Sequence, residues 1–319
     1  MRKGTKDIQA QTDGFHKIPI QKVGVRNLIT PFTIKRKSGG QFNTIAKFSS
    51  YCDLVESIKG INMSRIARSI NEVLNKEGLE GFDCLDTFAH KLADSHNTNH
   101  IWVKSEFDYV IEDTSPVTNL ASYEPIKVEF ETILKDGRHR NYLSINMVAM
   151  SLCPCSKEMS LLKNNVSEYV WDLLTSGKDD DTLDKLERAG FGAHNQKSFI
   201  TIKVEITDST DWMWIEDLFE IGRRGASCPT YSTLKRPDEK YVTEVSYMGG
   251  YYDESSNFVK VENSGPKFVE DISRDIANEL NKEMGKRIND YVIVVKNQES
   301  IHSGDIEAVS VLHANKELR

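Results

Sequence analysis

Strict alternation of apolar and polar residues marks three segments of the chain and limits the fold more than any other feature of the sequence. The longest run has Ile200, Ile202, Val204 and Ile206 with polar residues between them. Two shorter runs have the same period: Ile126, Val128 and Phe130, then Leu143, Ile145 and Met147. A period of two gives a strand one buried face and one polar face. These segments are therefore predicted to be strands of an antiparallel sheet with one face covered.

Helical spacing appears between the strands. Met63, Ile66, Ile70 and Val73 predict a helix over residues 59–77. The remaining predicted elements, in chain order, are a hairpin over 17–49, a helix over 84–95, a strand over 100–112, helices over 211–222 and 266–280, and a final hairpin over 291–312. Asp136-Gly137 predicts a tight hairpin turn.

Strands, two helices and strands thus occur twice along the chain. This order predicts an α+β fold in which each half packs helices on one face of an antiparallel sheet. The boundary is expected at Gly137, which gives an N-terminal unit of residues 1–137 and a C-terminal unit of residues 138–319.

The segment 161–188 does not fit this scheme. Val166, Tyr169, Val170 and Leu173 predict one short amphipathic helix, and the acidic stretch GKDDD that follows predicts an exposed turn. We expect this segment to be an insertion packed on the outside of the C-terminal unit.

Composition excludes several classes of protein. The 319-residue chain has a formal net charge of −7, which argues against nucleic-acid binding through a basic surface. It has no apolar run of membrane-spanning length, and its polar start lacks the apolar stretch of a secretory signal. A cytoplasmic location is the expectation. Five scattered cysteines do not predict a disulfide framework.

Cys153 and Cys155 are separated only by a proline. A thioredoxin-type pair needs two intervening residues, and a four-cysteine zinc site needs a second close pair. The motif alone favours two buried thiols at a strand end. However, His194 lies just before a predicted strand, Glu239 in a charged loop predicted between two helices, and His302 at the tip of the last hairpin. Element ends of this kind can gather loops into one site. A thiol, two imidazoles and a carboxylate would suit zinc or ferrous iron.

Five blocks of sequence, in this order, resemble the type IB GTP cyclohydrolases: SLCPCSKE, GAHNQ, LKRPDEKYVTE, PKFVED and ESIH. The resemblance implies a tunnelling fold with two such units in tandem and assembly as a homotetramer. It also implies conversion of GTP to 7,8-dihydroneopterin triphosphate and formate, the first step towards folate. The stretch between the first two blocks is longer here than in the family.

The resemblance also implies the site residues. Cys153, His194 and His302 would be ligands of one divalent metal per subunit, which could be Zn, Mn or Fe(II). Glu239 would be a catalytic carboxylate near or on that metal, and Cys153 would count as catalytic through the metal. Glu270 would be a further active-site carboxylate, and Glu299 would hold the guanine.

The segment KGINMSR offers cations at the start of a predicted helix, where phosphate groups bind readily. Lys59, Ser64 and Arg65 are therefore expected to bind the triphosphate of GTP, from the same or a neighbouring subunit. Solvated charges at an ordinary helix start are the alternative interpretation.

Two other functions remain open at this stage. The nitrile reductase of queuosine synthesis shares the tunnelling fold and uses NADPH and a cysteine, but the residues after Glu299 lack its lysine-rich continuation. A non-catalytic metal-binding protein is the second alternative. The sequence also leaves open a linear triphosphate or a cyclic phosphate product.

Overall fold

The first half of the chain forms two hairpins with two helices between them. A computed structural model describes residue 9 and residues 12–74, 81–207 and 213–314. The elements of the first half are β1 (Ile20–Lys35), β2 (Gln41–Leu54), α1 (Met63–Leu74), α2 (Gly81–His96), β3 (His100–Thr114) and β4 (Ala121–Lys135). Residues 75–77 of the first predicted helix and residues 211–212 of a later one lie outside the described residues.

The second half has the same order of strands and helices with additional short elements. Its strands are β5 (Arg138–Leu152), β6 (Asn195–Ile206), β7 (Gly250–Tyr252), β8 (Phe258–Lys260), β9 (Ile288–Gln298) and β10 (Glu307–His313). Its helices are α3 (Pro154–Ser160), α4 (Leu162–Asn165), α5 (Glu168–Thr175), α6 (Asp180–Arg188), α7 (Ile215–Gly225), α8 (Arg236–Met248) and α9 (Val269–Met284). Among the described residues, none of the helices combines the length and the apolar composition of a membrane span.

Both halves contribute to one sheet. Its eight strands lie in the order β1-β2-β3-β4-β5-β6-β9-β10, and neighbouring strands are antiparallel. The turn between β4 and β5 has Asp136 at φ 50° and Gly137 at φ 77°, the left-handed pair that a two-residue hairpin requires. The α+β prediction is confirmed. The division of the chain at Gly137 stays a prediction.

The alternating residues of β4, β5 and β6 all face the core. Phe130 is 2% exposed, and Ile145 and Ile202 are completely buried. They belong to one apolar cluster that also includes Leu85 of α2 and Ile272 of α9, so the helices cover this face of the sheet. Burying each such side chain stabilises the fold by about 1.5–3 kcal/mol relative to leaving it exposed.

The prediction of a loop around Glu239 is wrong, because α8 begins at Arg236 and includes this residue. Proline in the first turn, followed by two acidic residues, is a typical start of a helix. The prediction of one helix in the insertion is also wrong. The expected exposed turn is present between α5 and α6, and α6 begins within GKDDD at Asp180, where the Asp179 side chain accepts a 2.8 Å hydrogen bond from the Thr182 amide.

The insertion leaves and rejoins the fold at a single point, the insertion neck, formed by residues 160–162 and 189–191. Leu161 and Gly190 form an isolated antiparallel bridge. The Leu162 amide donates to the Ala189 carbonyl at 2.8 Å, and the Phe191 amide donates to the Ser160 carbonyl at 2.9 Å. Neither α5 nor α6 contains a buried residue. The two helices therefore lie on the outside of the fold, where Arg188 at the end of α6 lies 4.2 Å from the centre of the Phe258 ring of β8.

Candidate active site

Cys153 directly follows β5 and precedes the first residue of α3. Its thiol accepts a hydrogen bond from the Ser156 amide at 3.5 Å, so the side chain caps the helix. Pro154 suits the next position because its φ is already helical and its missing amide is not needed there. Cys155 is exposed and Cys153 is partly buried. The interpretation of this motif as two buried thiols is therefore wrong.

His194 lies beside Cys153, just before β6. The Cys153 amide donates to the His194 carbonyl at 3.3 Å, and the His194 amide donates to Ser156 Oγ at 3.3 Å. The imidazole Nδ1 of His194 is 3.4 Å from Ser300 Oγ, in the loop after β9. The ends of three neighbouring strands thus meet at His194.

Glu299 and His302 lie in that loop. The Glu299 amide donates to the Ile306 carbonyl at 2.9 Å, and the His302 amide donates to the Glu299 carbonyl at 3.3 Å, which fixes a turn. Gln196 Nε2 donates a hydrogen bond to Glu299 Oε2. These three side chains line a pocket of about 530 Å³ at the end of the sheet.

The sequence interpretation missed Gln196. It is 7% exposed and occupies the core-facing side of β6, in register with Ser198 and Ile200. The alternation predicts an apolar residue at this position. A glutamine there indicates a buried hydrogen bond, because buried polar groups need partners. Here the partner is Glu299.

The chemistry of the donors fits a divalent metal, since one thiol and two imidazoles are typical zinc ligands. The backbone brings Cys153, His194 and His302 to one end of the sheet. Their side chains do not converge, however: among the residues that the structure describes, no three His, Cys, Asp or Glu side chains form a group that could hold a metal ion.

One further cation lies close to Cys153. Lys157, on the first turns of α3, has its Nζ 5.1 Å from the centre of the Tyr247 ring. Burial lowers the pKa of Lys157, Glu158 opposes this, and Arg188 of the insertion lowers it further. The insertion therefore contributes charge on the Cys153 side of the sheet end.

Comparison with known proteins assigns the chain to a family. The family model described as type I GTP cyclohydrolase folE2 matches residues 5–308.

The chain belongs to this family.

Two curated relatives cover nearly the whole chain. GTP cyclohydrolase FolE2 of Azoarcus sp. (strain BH72) is 33% identical over 298 residues, which is 93% of this chain and 91% of that protein. GTP cyclohydrolase FolE2 of Caldicellulosiruptor bescii is 34% identical over 299 residues, covering 93% and 94%. The resemblance read from the five sequence blocks is thus confirmed at the level of the FolE2 family.

The fold has a solved counterpart. The crystal structure of a highly active BTUO mutant aligns with a TM-score of 0.50 at 7% identity, covering 93% of this chain and 100% of that chain. Identity this low relates the folds alone. With the eight-stranded sheet and its helix-covered face, it confirms the tunnelling fold.

Glu239 and Glu270, the two carboxylates predicted near the metal, lie at the same end of the sheet as Cys153. They are not among the residues that line the pocket beside Glu299. Glu239 and Glu270 are exposed, in the first turns of α8 and α9. Glu270 follows three residues after Lys267, whose amide donates to the Leu152 carbonyl at 3.1 Å, next to Cys153. The structure therefore brings the start of α9 to Cys153, without a described side-chain contact from Glu270.

Asp238, the neighbour of Glu239, is a structural residue that the sequence interpretation missed. It is completely buried and accepts hydrogen bonds from the Val117 and Thr118 amides, each at 2.9 Å. The Thr118 hydroxyl and the Lys235 amide also donate to it, at 2.6 and 2.9 Å. Burial opposes the charge of Asp238, but these hydrogen bonds hold its pKa well below the usual range. Asp238 thus fixes α8 to the β3–β4 turn.

The predicted phosphate-binding residues lie elsewhere. Ser64 Oγ donates to Asn62 Oδ1 at 2.7 Å, and Arg65 Nη1 donates to the Ser95 carbonyl at 2.9 Å. Arg65 lines a pocket of about 710 Å³ that also includes Lys135 and Asp136, beside the start of β5. Lys59 is exposed nearby in sequence.

This second pocket and Cys153 lie at opposite ends of β5. The strand has 15 residues. At about 3.3 Å per residue its length is roughly 50 Å. The Arg65 pocket and the Cys153 end of the same chain are therefore too far apart to contact one nucleotide.

Proposed function

We propose that the chain is a GTP cyclohydrolase I that converts GTP and water to 7,8-dihydroneopterin triphosphate and formate, as the first step of folate synthesis. The observation that carries the proposal is the Gln196–Glu299 pair, which lines a pocket at the strand ends where Cys153 and His194 also lie. Membership of the FolE2 family gives the reaction type.

Glu299 would recognise guanine. The base presents two adjacent donors, N1–H and the exocyclic amine, which one carboxylate accepts in a charge-assisted pair. The Gln196 amide already donates to Oε2 of Glu299 and so holds the carboxylate in position. Adenine would present an acceptor at the corresponding ring nitrogen, and the carboxylate cannot donate to it.

Cys153, His194 and His302 would hold one divalent metal per subunit, either Zn, Mn or Fe(II), with Glu239 as an exchangeable fourth ligand or proton carrier. The bound metal would lower the pKa of water and supply hydroxide near neutral pH. His302 shares its turn with Glu299. The metal that His302 would bind and the guanine that Glu299 would hold would therefore lie at the same loop. Glu270 would serve as a further carboxylate at the start of α9.

A second copy of the chain would supply the triphosphate site. Lys59, Ser64 and Arg65 lie at the end of the sheet opposite Cys153, so one GTP would have to contact these residues of a neighbouring subunit. A homotetramer in the cytoplasm is the proposed working form.

Formate release from GTP by anaerobically purified protein tests the reaction, and metal content per subunit tests the ligands. We expect a chelator to abolish formate release and a divalent metal to restore it. Cys153→Ala should lose both metal and turnover, whereas the matched variant Cys155→Ala should keep its metal. Full turnover by metal-free protein would contradict the metal proposal, and equal metal loss in both variants would contradict the choice of Cys153.

A further inference from the structure

A chain of buried hydrogen bonds crosses the sheet beneath the pocket. Ser198 Oγ donates to Asn297 Oδ1 at 2.6 Å, and Asn297 Nδ2 donates to Ser151 Oγ at 3.0 Å. Ser151 Oγ donates in turn to the Lys267 carbonyl at 2.9 Å. We call Ser198, Asn297 and Ser151 the polar tether. It joins β6, β9 and β5 and ends at the residues that lead into α9.

The direction of every bond in the polar tether is determined. The Lys267 carbonyl can only accept, so the Ser151 hydroxyl must give it its proton and must itself accept from Asn297. The amide nitrogen of Asn297 therefore faces Ser151, and its oxygen is left to accept from Ser198. The Asn297 amide, with a donor and an acceptor side by side, satisfies both serines at once.

The polar tether is anchored rigidly at the Lys267 end. Lys267 is 7% exposed, and its Nζ donates to the carbonyls of Gly225 at 2.8 Å and Asn263 at 2.6 Å. Nζ also forms an ion pair with Asp275 at 2.7 Å. Lys267 is thus fixed by contacts to α7, to α9 and to the loop between β8 and α9.

Each residue of the polar tether lies two positions from a residue of the proposed site. Asn297 precedes Glu299 by two residues, Ser198 follows Gln196 by two, and Ser151 precedes Cys153 by two. Side chains two apart on a strand share a face. Ser198 therefore shares a face of β6 with Gln196, while Asn297 and Ser151 lie near the ends of β9 and β5, next to the turns that carry Glu299 and Cys153.

The tether is dry. Ser151 and Ser198 are completely buried, and Asn297 is 2% exposed. A buried polar group that loses its partner costs far more than an exposed one, because water cannot replace the bond. The three strands consequently keep one lateral arrangement at this end of the sheet.

We propose that Asn297 is a positioning residue for guanine recognition: it holds the carboxylate of Glu299 in register with Gln196 across β6 and β9. This role rests on the proposed function, because it presumes that Glu299 accepts both donors of guanine. Asn297 does not contact the substrate.

The test compares GTP with inosine triphosphate, which keeps N1–H and lacks the exocyclic amine. One charge-assisted hydrogen bond changes kcat/KM by about 10- to 100-fold, so the wild-type protein should prefer GTP by about that ratio. In Asn297→Leu the misplaced carboxylate should pair with one donor only, and the preference should fall below about fivefold. The change should appear mainly in KM for GTP, with metal content unchanged.

Asn146→Leu is the matched control. Asn146 also accepts a cross-strand hydrogen bond, from Thr201 Oγ1 at 2.6 Å, but on the exposed side of the β5–β6 pair. We expect its GTP preference to equal that of the wild type. If Asn297→Leu does not fold, Ser151→Ala gives the test, because it removes the anchor of the Asn297 amide and leaves less volume to repack.

The outcomes separate this proposal from the proposed function. Wild-type protein that releases no formate from GTP overturns the proposed function and the role of Asn297 with it. Active wild-type protein whose GTP preference survives unchanged in Asn297→Leu, or in Ser151→Ala, overturns the role of Asn297 alone.

Discussion

Replacing Glu299 by glutamine is the sharpest single test of the site. The change keeps the size of the side chain and turns one of its two acceptors into a donor. Gln196 Nε2 needs an acceptor, so the remaining oxygen of the new amide should turn towards Gln196. The new NH₂ group would then face the two N–H donors of guanine.

The cost follows from these contacts. One charge-assisted bond is lost, and a donor is left facing donors, so we expect Glu299→Gln to lose roughly 2–4 kcal/mol of transition-state stabilisation. That corresponds to a fall of about 30- to 1,000-fold in kcat/KM for GTP. Steady-state formate release measures it, with metal analysis to show that the metal is retained.

Glu307→Gln is the control for this variant. Glu307 begins β10 and forms a 3.7 Å ion pair with Lys296 that is open to solvent, so its replacement should change kcat/KM little. If Glu299→Gln turns over GTP as fast as the wild-type protein, Glu299 does not bind guanine, and the proposed recognition of the base by this carboxylate is wrong.

Three further predictions concern the insertion, Asp238 and the cysteines. Replacing residues 162–189 by Gly-Gly should leave metal content unchanged and turnover nearly so, because the insertion neck already joins the two ends; a folded, metal-loaded tetramer without turnover would make the insertion part of the site. Asp238→Asn should lower Tm by several degrees at pH 7. Since the pKa of Asp238 is depressed in the folded protein, its stabilisation is complete above the unfolded pKa of about 3.9, and the Tm difference should shrink as pH falls below that value. Iodoacetamide at pH 7.5 should label exposed Cys155 in the native protein, as peptide mass spectrometry would show. The thiols expected to stay unlabelled are those whose pKa burial raises to about 11 or 12: Cys52, Cys84 and Cys228.

The sheet could be predicted from the sequence because its signals are local. Alternation in 126–130, 143–147 and 200–206 depends only on which face of a strand is buried, and the Asp136-Gly137 turn depends only on backbone conformation. The same logic found the helices that cover the core. Five short sequence blocks then identified the family.

The arrangement of the site could not be read in this way. Glu239 was expected in a loop because charge density around Asp238 suggested solvent, whereas Asp238 is buried by contacts with residues some 120 positions earlier in the chain. Roles can be assigned to Gln196 and Asn297 only when β6 and β9 are known to be neighbouring strands. Strand order is a long-range property, and one sequence alone does not encode it locally.

The distance between the predicted phosphate-binding residues and Cys153 is a further feature that the sequence did not predict. The expectation for Lys59, Ser64 and Arg65 came from the charge of a helix start, which says nothing about distance to Cys153. With a whole strand between them, these residues can serve the same nucleotide only through assembly of chains.

Because of the insertion neck, another folded domain could be inserted into this chain between Leu161 and Gly190. Paired backbones at Leu161 and Gly190 fix the two ends of the insertion a few ångströms apart whatever lies between them. Lengthening a closed loop costs little, about 0.6 kcal/mol for each doubling, and many domains have neighbouring termini. Gly177, at φ 67° in the exposed turn between α5 and α6, is therefore the point at which a fluorescent reporter could be built into the enzyme while the strands that carry Cys153 and His194 keep their register.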